Sequence, residues 1–92
     1  MDVLSHEQVA ERLAGLPGWT LDDNSIVHVQ KLADFRASLL YVGAVAYLAE
    51  AANHHPDITI QWNKVTLTLS THSAGGLTTN DFALAGQING LG

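Results

Sequence analysis

The 92-residue chain has room for one domain, spanning 1–92, and a domain of this size buries only about 60–65% of the surface its unfolded form exposes. Nine acidic residues against four basic ones give a formal charge of -5, with no Lys or Arg cluster to neutralise phosphates, which argues against nucleic acid as a partner. The absence of cysteine rules out disulfides, Cys-based zinc sites and thiol catalysis, and fits a reducing cytosol.

The opening residues, MDVLSHEQVAERL, are acidic and amphipathic, with neither a basic leader nor an apolar signal core, and no apolar run is expected to approach a membrane span. A cytoplasmic protein with no membrane association is the expectation. Apolar residues make up 47% and charged ones 14%, a lightly charged surface that predicts a homo-oligomer.

Ser5 and Gln8 form a capping box, and Val9, Leu13 and Leu16 recur at helical spacing until Pro17-Gly18, so the first helix is predicted over about residues 6–16. Trp19 to Leu21 reads as a strand, Asp22 to Ser25 as a turn, and Ile26 to Leu32 as a second strand with Val27 and Val29 on one face. Asp34 is a good N-cap for a long helix with an apolar stripe of Phe35, Leu39, Val42, Val45, Ala46 and Ala49. Pro56 disfavours helical geometry at His55, so this helix should end near His54.

Residues 58–62 and 65–72 alternate with period two around Asn63-Lys64, a turn in which Asn tolerates positive φ. Thr78 can cap a final helix with Phe82, Ala85, Ile88 and Leu91 as its apolar positions, although Gly86 and Gly90 are weak helix formers. The order αββαββα predicts an α+β fold: a four-stranded antiparallel sheet with three helices on one face.

Three of the five histidines fall at element ends, where side chains can converge without belonging to the core. His54 and His55 lie where the long helix breaks. His72 ends the long strand, in register with Thr66, Thr68 and Ser70 on a polar sheet face that can line a pocket. Glu50 precedes His54 by one helical turn, so its carboxylate can bond one ring nitrogen and leave the other for acid or base chemistry; a solvated helix-end pair satisfies the same spacing. Three histidines also raise a zinc site as rival chemistry, but adjacent residues usually point apart and no HExxH spacing occurs, so no metal is expected. His6 and His28 are lone residues with surface positions as the default.

Glu50 stands four residues before His54-His55-Pro56, five residues separate Pro56 from Trp62, nine separate Trp62 from His72, and eight separate His72 from Asp81. With these spacings the chain from Glu50 onward resembles the pterin-4a-carbinolamine dehydratase family. Ser70-Thr71-His72, the Gly-Leu-Thr approach to the last helix, and Trp19 after Pro-Gly extend the likeness over nearly the whole chain.

The resemblance implies a four-stranded antiparallel sheet, dimers or tetramers, and dehydration of 4a-hydroxytetrahydropterin to quinonoid dihydropterin without a cofactor. That activity would recycle the cofactor of an aromatic amino acid hydroxylase. It further implies that His54 and His72 serve as acid and base, that His55 holds the pterin, and that Glu50 orients His54. Pro56 would fix the loop and the backbone of Ser70 to His72 would bond the pterin edge. Trp19 would pack near the ring or belong to the core, and Asp81 would orient a site residue or serve only the helix N-terminus. Rival functions are a non-catalytic binding or assembly module on the same fold, a metal-dependent hydrolase, and a dehydratase acting on another pterin.

Overall fold

The structure, a computed structural model, describes residues 2–91. The elements run α1 (His6–Ala14), β1 (Trp19–Asp22), β2 (Ser25–Lys31), α2 (Phe35–Ala52), β3 (Asp57–Gln61), β4 (Lys64–Leu69) and α3 (Thr79–Asn89). The strands form one sheet in the order β1-β2-β4-β3, every neighbouring pair antiparallel, so α2 carries the chain from β2 over β4 to the far edge. This is the expected α+β fold.

Strand alternation separates the two faces of the sheet. Register places Trp19, His28, Leu67 and Ile58 side by side, with Ile26 opposite Leu69 and Val65 opposite Ile60. Ile26, Val65, Leu67 and Leu69 are fully buried on this face, together with Val45 and Ala49 of α2 and Leu84, Ala85 and Ile88 of α3. Removing one of these Leu or Ile side chains down to Ala would cost roughly 2–5 kcal/mol. The other face carries Thr20, Val27, Val29, Thr59, Thr66 and Thr68, half-buried or exposed.

Several boundaries and faces differ from expectation. Asn53 adopts the left-handed conformation (φ 50°) and ends α2 before His54; the amides of Asn53 and His54 return to the carbonyls of Glu50 and Ala49 in a Schellman motif. The hairpin turn is Trp62-Asn63 rather than Asn63-Lys64, and Trp62 takes the positive φ of 50°. The fully buried Ser38 supports this turn, its hydroxyl lying 2.8 Å from the Trp62 carbonyl, while Asn63 exchanges bonds with the backbone of Leu32.

On α2 the expected stripe is only half right. Val45 and Ala49 are buried and Val42 is half-buried, but Phe35, Leu39 and Ala46 are exposed, as are Leu40 (70%) and Tyr47 (76%). Apolar residues surround this helix, so periodicity could not select its inner side. Contrary to the expectation of no membrane-length run, Phe35–Ala52 has a mean hydropathy of 1.2, long and apolar enough to cross a membrane by length and composition alone. Its inner side instead packs against β4 and α3.

Candidate active site

Strand β4 ends at Leu69, earlier than expected. Thr71 then pairs with Gly76, closing a turn over residues 72–75, with Gly75 at φ 80°. His72 therefore lies exposed on this turn and not in register with Thr66 and Thr68. The turn faces the segment where α2 breaks, and the two enclose an open cleft lined by Asn53, His54, His55, Ser70, Thr71, His72 and Ser73. The cleft sits at the end of β4; of the polar sheet face expected to line it, Ser70 takes part and Thr66 and Thr68 do not.

The αL residue at 53 turns consecutive histidines toward different partners. His54 has an 11% exposed side chain and directs Nε2 to the Oδ1 of Asp81 at 2.5 Å. His55 stays outside, with Nε2 2.5 Å from the Oε2 of Glu50; both side chains are more than half exposed (58% and 76%). The expected Glu50–His54 contact is thus replaced. An i, i+4 pairing needs the helix to continue through His54, and it does not.

Asp81 has no exposed surface and serves two purposes at once. As residue N3 of α3 it accepts the Thr78 backbone N–H at 2.9 Å through Oδ2, completing a capping box. The same oxygen accepts the hydroxyl of Thr71 at 2.8 Å, while Oδ1 faces His54. Every partner is a donor, which is what a buried carboxylate requires. Among the described residues no buried side-chain nitrogen or oxygen lacks a partner.

Of the three imidazoles lining the cleft, two stand on separate segments as a pair, His54 braced by a buried carboxylate and His72 open to solvent. Such a pair can exchange two protons with a bound molecule. Ser70, Thr71 and His72 border the same space. Among the described residues, no three His, Asp or Glu side chains gather as metal ligands.

Trp19 and Pro56 do not line the cleft among the described residues. Trp19 is 5% exposed and core-bound; its Nε1 donates to the Asn89 Oδ1 at 2.9 Å, and its ring stacks on His28 at 5.2 Å between centroids. His28 is accordingly no surface residue: it is half-buried, with Nδ1 2.8 Å from the Gly18 carbonyl and Nε2 2.8 Å from the Gln30 amide. Pro56 leads from His55 into β3, and Trp62 stands at the opposite end of that strand.

Sequence reasoning missed Asn53 and Ser73, and saw Thr78 only as a helix cap and not as part of the site. Asn before His-His is a legible signal, because Asn is a common left-handed helix terminator. Nothing in the local pattern of Ser73 marks it.

Comparison with known proteins agrees with this architecture. Residues 2–91 match the family model described as "Pterin 4 alpha carbinolamine dehydratase". A Chloroflexus aurantiacus protein named "Putative pterin-4-alpha-carbinolamine dehydratase" is 54% identical over 89 residues, covering 97% of this chain and 96% of its own. A Nocardia farcinica protein of the same name is 50% identical over 90 residues, covering 98% and 95%. Among solved structures, a transcriptional coactivator/pterin dehydratase from Brucella melitensis superposes with a TM-score of 0.93 at 32% identity, covering 98% of both chains. A pterin dehydratase-like RuBisCO assembly factor of the alpha-carboxysome shares the fold alone, with a TM-score of 0.64 at 19% identity over 79% of this chain and 84% of its own. The chain belongs to the pterin-4a-carbinolamine dehydratase family.

Proposed function

We propose that this protein dehydrates 4a-hydroxytetrahydropterin to quinonoid dihydropterin, with residues 1–92 acting as one catalytic domain. The carrying observation is His54, backed by the buried carboxylate of Asp81, on a cleft whose other wall holds His72. In the reaction the C4a–O bond breaks, a proton reaches the departing oxygen, and the N5 proton is lost, so water leaves. Two imidazoles, one placed to give a proton while the other takes one, suit both transfers.

In this reading His54 and His72 handle the two protons and Asp81 positions His54. His55, tethered by Glu50, flanks the pterin, and the backbone of Ser70 and Thr71 bonds its edge. The reaction uses no metal or other cofactor. The product would return to tetrahydropterin by reduction, linking the protein to an aromatic amino acid hydroxylase in the cytoplasm. A homodimer or homotetramer is part of the proposal, supported by the exposed Leu40 and Tyr47 on α2, which flank Gly43 with open space at its Cα. Light scattering should give a mass above the 9.8 kDa of one chain, and Leu40→Glu should return it to that value.

The test is a stopped-flow assay with synthetic 4a-hydroxytetrahydropterin. Protein should accelerate its decay, with or without EDTA. No acceleration would leave the fold as a binding module, and loss in EDTA restored by zinc would favour metal chemistry.

A further inference from the structure

The hydroxyls of Thr71 and Thr78 lie behind the site, 2.9 Å apart, with Thr71 7% exposed and Thr78 fully buried. Each has one proton to donate. The Thr71 proton goes to Oδ2 of Asp81 at 2.8 Å, because a carboxylate only accepts. The Thr78 proton must then point at the Thr71 oxygen, while the Thr78 oxygen accepts the Asn80 amide at 3.3 Å. The chain of hydroxyls runs one way, from Thr78 through Thr71 to Asp81.

With Oδ2 holding both the Thr71 hydroxyl and the Thr78 amide, the carboxylate is fixed in orientation and presents Oδ1 to His54. Oδ1 can only accept, so Nε2 of His54 carries a hydrogen. In the neutral ring Nδ1 is then the lone-pair nitrogen.

We infer that the Thr78–Thr71 hydroxyl pair is a positioning arm of the active site, which locks Asp81 as an all-acceptor carboxylate and makes Nδ1 the nitrogen of His54 that exchanges protons with substrate. The inference rests on the proposed dehydratase reading for its kinetic consequence but not for the ring chemistry. Thr71 also joins two functions: it lines the cleft and bridges to Gly76, while its hydroxyl bonds Asp81.

The experiment compares Thr71→Val, which keeps shape and removes the hydroxyl, with Thr71→Ser, which keeps the hydroxyl. In long-range proton–nitrogen spectra of labelled full-length protein, wild-type His54 should appear as the Nε2–H tautomer, with a larger Nδ1–H share in Thr71→Val and recovery toward wild type in Thr71→Ser. In the dehydration assay Thr71→Val should lower kcat about tenfold, the worth of one hydrogen bond to a charged group, with KM within about twofold. Thr71→Ala carries the same expectation if Thr71→Val does not fold. Unchanged His54 signals in a folded hydroxyl-less variant, or equal losses in Thr71→Val and Thr71→Ser, would overturn the inference. The ring spectra need no substrate, so absence of turnover in the wild type would defeat the dehydratase reading alone.

Discussion

His54 and Asp81 are 27 residues apart in sequence and 2.5 Å apart in space, and the second side chain is fully buried behind the first. The pair joins the end of one helix to the start of another. It gives the site a fixed imidazole, in contrast to His72 on its exposed turn, and this difference orders the expected effects of mutation.

Replacing either His54 or His72 by Ala should lower kcat/KM by on the order of 10²–10⁴, the usual contribution of one general acid or base. The loss should sit toward the low end, because a carbinolamine dehydrates slowly in water unaided. The double variant should approach the uncatalysed rate. Stopped-flow rates on variants with wild-type circular dichroism check this, and a double variant near wild-type activity would remove the histidines from the mechanism.

Asp81→Asn should damage both stability and rate. One carboxylate oxygen becomes an NH2 that must face a donor, leaving buried groups unmatched at a cost of roughly 1–3 kcal/mol. For a chain of this size each kcal/mol lowers Tm by about 4–8 °C. Calorimetry measures the first effect; a kcat loss of about 10² in the protein still folded measures the second.

Glu50→Gln should be mild. Its bond to His55 joins two exposed side chains, and such pairs contribute about 0–1 kcal/mol. Urea midpoints should barely move, and any kinetic effect should appear in KM. A large fall in kcat would reinstate Glu50 as a partner of the proton-transferring histidine.

Burial holds the phenol of Tyr41 above its ordinary value of 10.0. Above that pH the unfolded chain releases the proton while the folded chain keeps it, so the unfolded state binds fewer protons and stability falls as pH rises toward the folded value. Below it Tyr41 adds no pH dependence. Urea unfolding at about pH 9 and about pH 11 should show a smaller decline for Tyr41→Phe than for wild type, and equal declines would contradict the assignment.

Local chemistry made most of the fold legible. The Ser5–Gln8 and Thr78–Asp81 capping boxes, the Asp34 cap and the alternation of β4 each specify an element without reference to the rest. The errors arose where one residue's backbone decides the outcome. Asn53 in the left-handed region ends α2 a residue before His54, and with that the Glu50 pairing changes hands. Trp62 takes the positive φ that Asn63 was expected to take, because the turn is anchored by Ser38 and by the Asn63–Leu32 bonds, none of which is local. The Trp19–His28 stack and the His54–Asp81 contact likewise depend on tertiary placement, and no spacing rule contains them.

Asp81 follows every other member of the site along the chain, which gives protein synthesis a direction here. A nascent chain that has emerged as far as Gly76 already holds His54, His55, His72 and the whole sheet. It still lacks the carboxylate that fixes His54, and α3, whose Leu84, Ala85 and Ile88 complete the core. If the proposed function holds, ribosome-stalled chains released before Thr78 should therefore carry all the histidines and hold pterin poorly, with competence arriving in one late step as the last helix docks.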